Sequence, residues 1–171
     1  MENYAKVMLY VYPFLKTVEK DYLCHIRNKA ILSHNSNMTA ERLAEYIANE
    51  IIIKRSLEGL KEDLEKVFGR LQERENQLLS FRYFGKRKQL REFLKNESAK
   101  SGWSERKYFR EQKRLGEKVG AMMRSVGLTE ERYQKEFADL DIFKRVARFV
   151  AEGRDEKISV QERQLACAVK K

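Results

Sequence analysis

Residues 81–124 read FRYFGKRKQLREFLKNESAKSGWSERKYFREQKRLGEKVGAMMR. Two sets of apolar residues recur at spacings of three and four, the period of one helix face. The first is Leu90, Phe93 and Leu94, in a segment whose other apolar residue is Ala99; the second is Tyr108, Leu115, Val119, Met122 and, just beyond, Val126. Ser101-Gly102-Trp103-Ser104 lies between them as a short turn. The stretch holds fourteen Lys/Arg against five Glu, a net +9 out of +10 for the whole chain. Charge that served solubility alone would be spread over the surface, whereas a local positive field attracts polyanions. A basic pair of helices broken by a turn predicts a helix-turn-helix DNA reader. A solvated charged face is the plainer account of the same residues.

Outside this stretch the chain is close to neutral. Its 171 residues suffice for one ordinary domain or two small ones, and 42% apolar content suffices for a core. Eight glycines, one proline and almost no alternating pattern predict an all-α protein. No apolar run reaches about 18 residues, so no membrane span is expected. The N-terminus, with Glu2 and Lys6 around a short apolar patch, does not read as a signal peptide. Cys24 and Cys167 are far apart, and His25 and His34 share no helical face, so neither a metal site nor a cofactor is expected. Reduced thiols fit a cytoplasmic protein.

Tyr4, Val7, Met8 and Val11 start the chain as a helix face. Pro13 predicts a break near Tyr12 and a new helix beginning with the proline in its first turn. Phe14, Val18, Tyr22, His25 or Ile26, and Ala30 continue along that helix, and core packing is the better reading of its aromatics than base stacking. After the polar loop 33–37, Thr39 is the expected N-cap of a helix of about thirty residues, with Met38 stapled to Leu43. Its apolar line runs Leu43, Ile47, Ile51 or Ile52, Leu57, Leu60, Leu64, Val67, Phe68 and Leu71, and its outer face alternates Glu and Lys. The expected position of this helix is against the first two. A helix from Gln72 stops at Gly85. After Ser104, the N-cap of the second basic helix, Gly127 is the stop and Thr129 caps another helix, with a break near residues 138–141. Residues 154–171 have weak periodicity.

LLSFRYF (78–84) and GWSERKYFREQKRLGEKV (102–119) resemble region 4 of the sigma-70 family. They are similar in the same way to sigma-related phage transcriptional regulators of the ArpU and RinA type. The likeness covers about residues 72–126. It implies that Ser104, Arg106, Lys107 and Arg110 face bases, that Lys113 and Arg114 face the DNA backbone, and that Trp103, Tyr108, Leu115 and Val119 pack the motif. Two departures stand out. The segment between Phe84 and Gly102 is longer than the family pattern, and the usual Ile-Ala pair of the first motif helix is absent, leaving Leu90, Phe93 and Leu94 to replace it. Residues 1–71 carry nothing like a promoter-melting region, which points to a sigma-like regulator and not a complete sigma factor.

The expected architecture is a helical bundle with a long central helix and a C-terminal helix-turn-helix. It divides into an N-terminal interaction region (1–71), the helix-turn-helix (72–126), C-terminal helices packed on it (127–153) and a tail (154–171). The expected function is sequence-specific binding of double-stranded DNA in transcription regulation. Arginines in the first two turns of the second basic helix can bridge guanine O6 and N7, while Lys113 and Arg114 reach phosphates, which position without specifying. Lys86, Arg87 and Lys88 oppose the dipole at a helix start, which favours a phosphate partner there. The N-terminal region would dimerise or contact RNA polymerase. The competing reading is a non-enzymatic helical module that binds RNA polymerase or another acidic protein. A third, RNA binding, would use Tyr108 and Phe109 for stacking. Enzymatic activity is not expected, because no phosphate loop, nucleophile–base pair or metal spacing is present.

Overall fold

A computed structural model describes residues 1–32, 39–85, 89–90, 92–93 and 105–153. The regular elements there are helical, and no strand occurs among the described residues. Pro13 sets the first bend. Helix α1 (Asn3–Val11) runs into a 3-10 turn (Tyr12–Phe14), and α2 (Leu15–Leu32) follows directly. Proline's fixed φ and missing amide suit a first turn and not a helix interior, so the break falls where the sequence places it.

Helix α3 (Ala40–Gly69) is 30 residues long, and the Thr39 hydroxyl accepts from the Arg42 amide at 3.4 Å, as an N-cap does. Met38, its expected staple, lies outside the described residues. Helix α4 (Glu73–Tyr83) is opened by the Gln72 amide donating to Glu75 Oε2 at 3.0 Å, and is followed by Gly85 at φ +78°. Leu90 and Phe93 then pack against the core, with the Phe93 ring 5.2 Å from that of Phe81. Helix α5 (Glu105–Ser125) ends where Gly127 takes φ +81°, letting the Leu128 amide donate back to the Met123 carbonyl at 2.9 Å. Helices α6 (Glu130–Glu136), capped by Thr129, and α7 (Asp141–Ala151) complete the described chain, with the expected break between them.

The centre of the core is α1, not the long helix. Seven of its nine residues are buried, because it is covered by α7 on one side and approached by α4 and α6. Helix α3 sends only Leu57, Leu60, Leu64 and Val67 into the core, all from its C-terminal half. The N-terminal tyrosines are structural: Tyr4 and Tyr10 are buried, and Tyr10 meets Tyr83 edge-on at 4.8 Å. Helix α7 lies on α1. The reason is the apolar line Ile142, Phe143, Val146 and Val150, which matches the apolar excess of α1. Buried residues from 1–71, 72–126 and 127–153 belong to one hydrophobic cluster.

One polar latch joins α3 to α6. Arg132 donates to Asp63 at 2.9 Å and to Glu136 at 3.2 Å, and Lys66 donates to Asp63 at 2.9 Å. Burial raises the Asp63 carboxyl, but the hydrogen bonds from Lys66 and Arg132 outweigh it and hold the group below its ordinary value.

Candidate nucleic-acid interface

Helix α5 presents two opposed faces. Tyr108, Gln112, Leu115, Val119 and Met123 are buried, at the spacing of one helical stripe. Full burial of Val119 and Met123 contributes roughly 1.5–3 kcal/mol of transfer free energy each. The sequence reading put Met122 on this stripe. Met123 is the buried residue, and Met122 and Val126 are only partly covered. Met123 continues the regular spacing of 108, 112, 115 and 119 along the helix.

Gln112 is the polar member of the stripe, and periodicity of apolar residues could not find it. Its Nε2 donates to the Leu78 carbonyl at 2.6 Å and to the Tyr108 hydroxyl at 3.1 Å. A buried amide needs such partners, and they fix α5 against α4. On the outer edge of the same contact, Lys118 Nζ donates to both carboxylate oxygens of Glu75, at 2.7 and 2.8 Å. Burial raises the Glu75 carboxyl. The hydrogen bonds from Lys118 and the Gln72 amide, with the Lys118 charge, more than offset it and hold it below its ordinary value. Glu75 thus caps α4 and clamps α5 at once.

The opposite face of α5 is exposed. Arg106, Phe109, Arg110 and Lys113 lie at i, i+3, i+4 and i+7, which is one strip of helix surface. Among the described residues, Arg106, Arg110 and Lys113 make no ion pair. Phe109 sits between them with 54% of its surface open, its ring edge-on to Tyr108 at 5.4 Å. Arg114, also exposed, is 3.7 Å from Glu111. Further along, Lys118 is engaged by Glu75 and Arg124 by Glu2 at 3.3 Å. Arg106, Arg110 and Lys113, without ion pairs among the described residues, thus lie in the N-terminal half of α5, whereas Lys118 and Arg124 in its C-terminal half each meet a carboxylate.

The structure brings Arg106, Arg110 and Lys113 onto one strip. Lys107 and Arg114 flank it on the α4-facing side, with Lys107 half-buried and Arg114 exposed. Ser104, Lys86, Arg87, Lys88 and the turn at Trp103 lie outside the described residues. So does most of the first helix of the expected motif. Phe109 is the residue that sequence reasoning undervalued. Its signal was an aromatic one position off the buried stripe, where a core residue has no place. Tyr108 is buried and cannot stack on a base.

The arrangement can approach a polyanion through the unpaired cations while the aromatic ring supplies apolar contact. No helix among the described residues is long and apolar enough to cross a membrane, and no group of three or more His, Cys, Asp or Glu there is placed to hold a metal ion. Comparison with models of known protein families, with curated proteins and with solved structures finds no match, so the likeness to sigma region 4 rests on the residues quoted above.

Proposed function

We propose that this chain is a sequence-specific double-stranded DNA-binding protein that regulates transcription, with the N-terminal half of α5 as its reading surface. The observation that carries this is the strip Arg106–Phe109–Arg110–Lys113, exposed and without ion pairs among the described residues, on a helix whose other face is locked into the core. Two guanidinium groups one turn apart suit bidentate contact with guanine in the major groove. The aromatic ring between them suits the C5-methyl of thymine, which the same groove displays. Lys113 and Arg114, one to two turns further along, suit phosphate contact. Lys118 and Arg124 are excluded from this list by their carboxylate partners.

The N-terminal region is proposed as the part that contacts other proteins. The test of the DNA reading is fluorescence anisotropy on random duplex DNA over a range of salt. The expected result is binding whose affinity falls steeply with salt, on the order of several released counterions, followed by site selection that yields a preferred sequence. Absence of binding at low salt overturns it and assigns the strip to an acidic protein partner, RNA polymerase being the first to assay.

A further inference from the structure

Phe109 stands apart from the other apolar residues of the chain. Among the described residues outside α2 and α3 it is the one large apolar side chain that is exposed, with 54% of its surface open. Single apolar residues on a surface are common, but this one belongs to a cationic patch. On a helix, residues three and four apart are neighbours. Phe109 therefore adjoins Arg106 and Lys113, and Arg110 adjoins the same two from the other side. All four are exposed. The patch thus has three cationic corners and one apolar corner.

The apolar corner is braced from behind. The Phe109 ring meets Tyr108 edge-on, with 5.4 Å between centroids and 68° between planes, and Tyr108 belongs to the buried stripe. The Tyr108 hydroxyl accepts from Gln112 Nε2 at 3.1 Å, and the same nitrogen donates to the Leu78 carbonyl at 2.6 Å. A continuous set of contacts runs from the α4 backbone to an exposed aromatic ring. A side chain held in place before binding loses less entropy when it binds.

In an intact duplex the base faces are stacked on one another, so a side chain in the major groove meets base edges. Those edges display one apolar group among the four bases, the C5-methyl of thymine. Arginine and lysine carry only donors and have no means of reading a methyl group. Residues one helical turn apart on a groove-bound helix meet successive bases, which puts the methyl beside the pairs that Arg106 and Arg110 take. We propose that Phe109 is a specificity-determining residue that selects thymine through its C5-methyl, from a position preset by Tyr108 and Gln112. This rests on the duplex-DNA reading of α5 and adds to it a base that the cations of the patch leave unread.

Anisotropy titrations on the site obtained by selection test it. Each thymine is replaced in turn by uracil, which removes the methyl and keeps the hydrogen-bonding edge. At one position the exchange is expected to weaken wild-type binding about three- to tenfold, the scale of leaving one methyl group unburied. Phe109→Ala is expected to bind the thymine and uracil versions of that position equally. Position 109 is exposed, so the variant keeps the core, and circular dichroism checks its helix content. Sequence-specific binding to a site without thymine, or to one in which no uracil exchange matters, overturns this inference and leaves the DNA reading standing. So does a uracil effect that persists unchanged in Phe109→Ala. A single strand of the site that binds more tightly than the duplex overturns it as well, and assigns the ring to stacking on an unpaired base. Absence of any duplex binding overturns the DNA reading first, and this inference with it.

Discussion

Gln112 and Leu78 are joined by a 2.6 Å hydrogen bond from a buried side-chain amide to a helix carbonyl, and this bond fixes where α5 sits on α4. Gln112→Ala removes it and opens a cavity. A loss of about 2–4 kcal/mol is expected from the lost bond and the missing side-chain atoms together. Urea denaturation reads it directly. A change within half a kcal/mol would show that the contact does not hold the helix pair.

Arg106 and Arg110 are expected to specify, and Lys113 to position. Replacing either arginine by alanine should cost about 1–3 kcal/mol on the selected site, with little effect on random DNA. Lys113→Ala should weaken all sequences alike and reduce the salt slope by about one unit. Equal losses on both DNAs for the arginine variants would remove their base-reading role.

Lys118 supplies the contrast. It is as basic as Lys113 and only five residues away, yet Glu75 holds it at 2.7 Å. Lys118→Ala is expected to lower thermal stability while leaving the salt slope of DNA binding nearly unchanged. A drop in slope equal to that of Lys113→Ala would mean that the Glu75 clamp opens on DNA.

Acid should loosen the α3–α6 latch. The Asp63 carboxyl is held below its ordinary value of 3.8, so its contribution to stability is present above that pH and is lost as pH falls through the depressed value. Glu75, held below its ordinary value of 4.5, acts in the same sense. Asp63→Asn should therefore melt lower than wild type at neutral pH, and the two curves should converge below the carboxylate range. A gap that stays constant with pH would assign the difference to packing.

Gly116 offers a gain. Its backbone is helical, and an added Cβ would meet Met1 Cβ at 3.6 Å, an ordinary van der Waals distance. Gly116→Ala should stabilise by about 0.5–1 kcal/mol through helix propensity. Destabilisation on thermal melting would show that Met1 cannot accommodate the added methyl.

Much of this protein was legible in its residues. Pro13, Thr39, Gly85, Gly127 and Thr129 act through backbone geometry and local hydrogen bonds, which need only neighbours in the chain. The helix ends consequently fall where the sequence puts them. The buried stripe and the cationic strip of α5 also follow from helical period. What period cannot say is which helix faces which. Tertiary structure alone made α1 the centre, set α7 upon it and left the outer half of α2 and α3 uncovered. It alone separated Lys118 and Arg124, bound to Glu75 and Glu2 far away in sequence, from Arg106, Arg110 and Lys113. A cation's charge belongs to the sequence. Whether a carboxylate already occupies it depends on long-range packing, which no local pattern encodes.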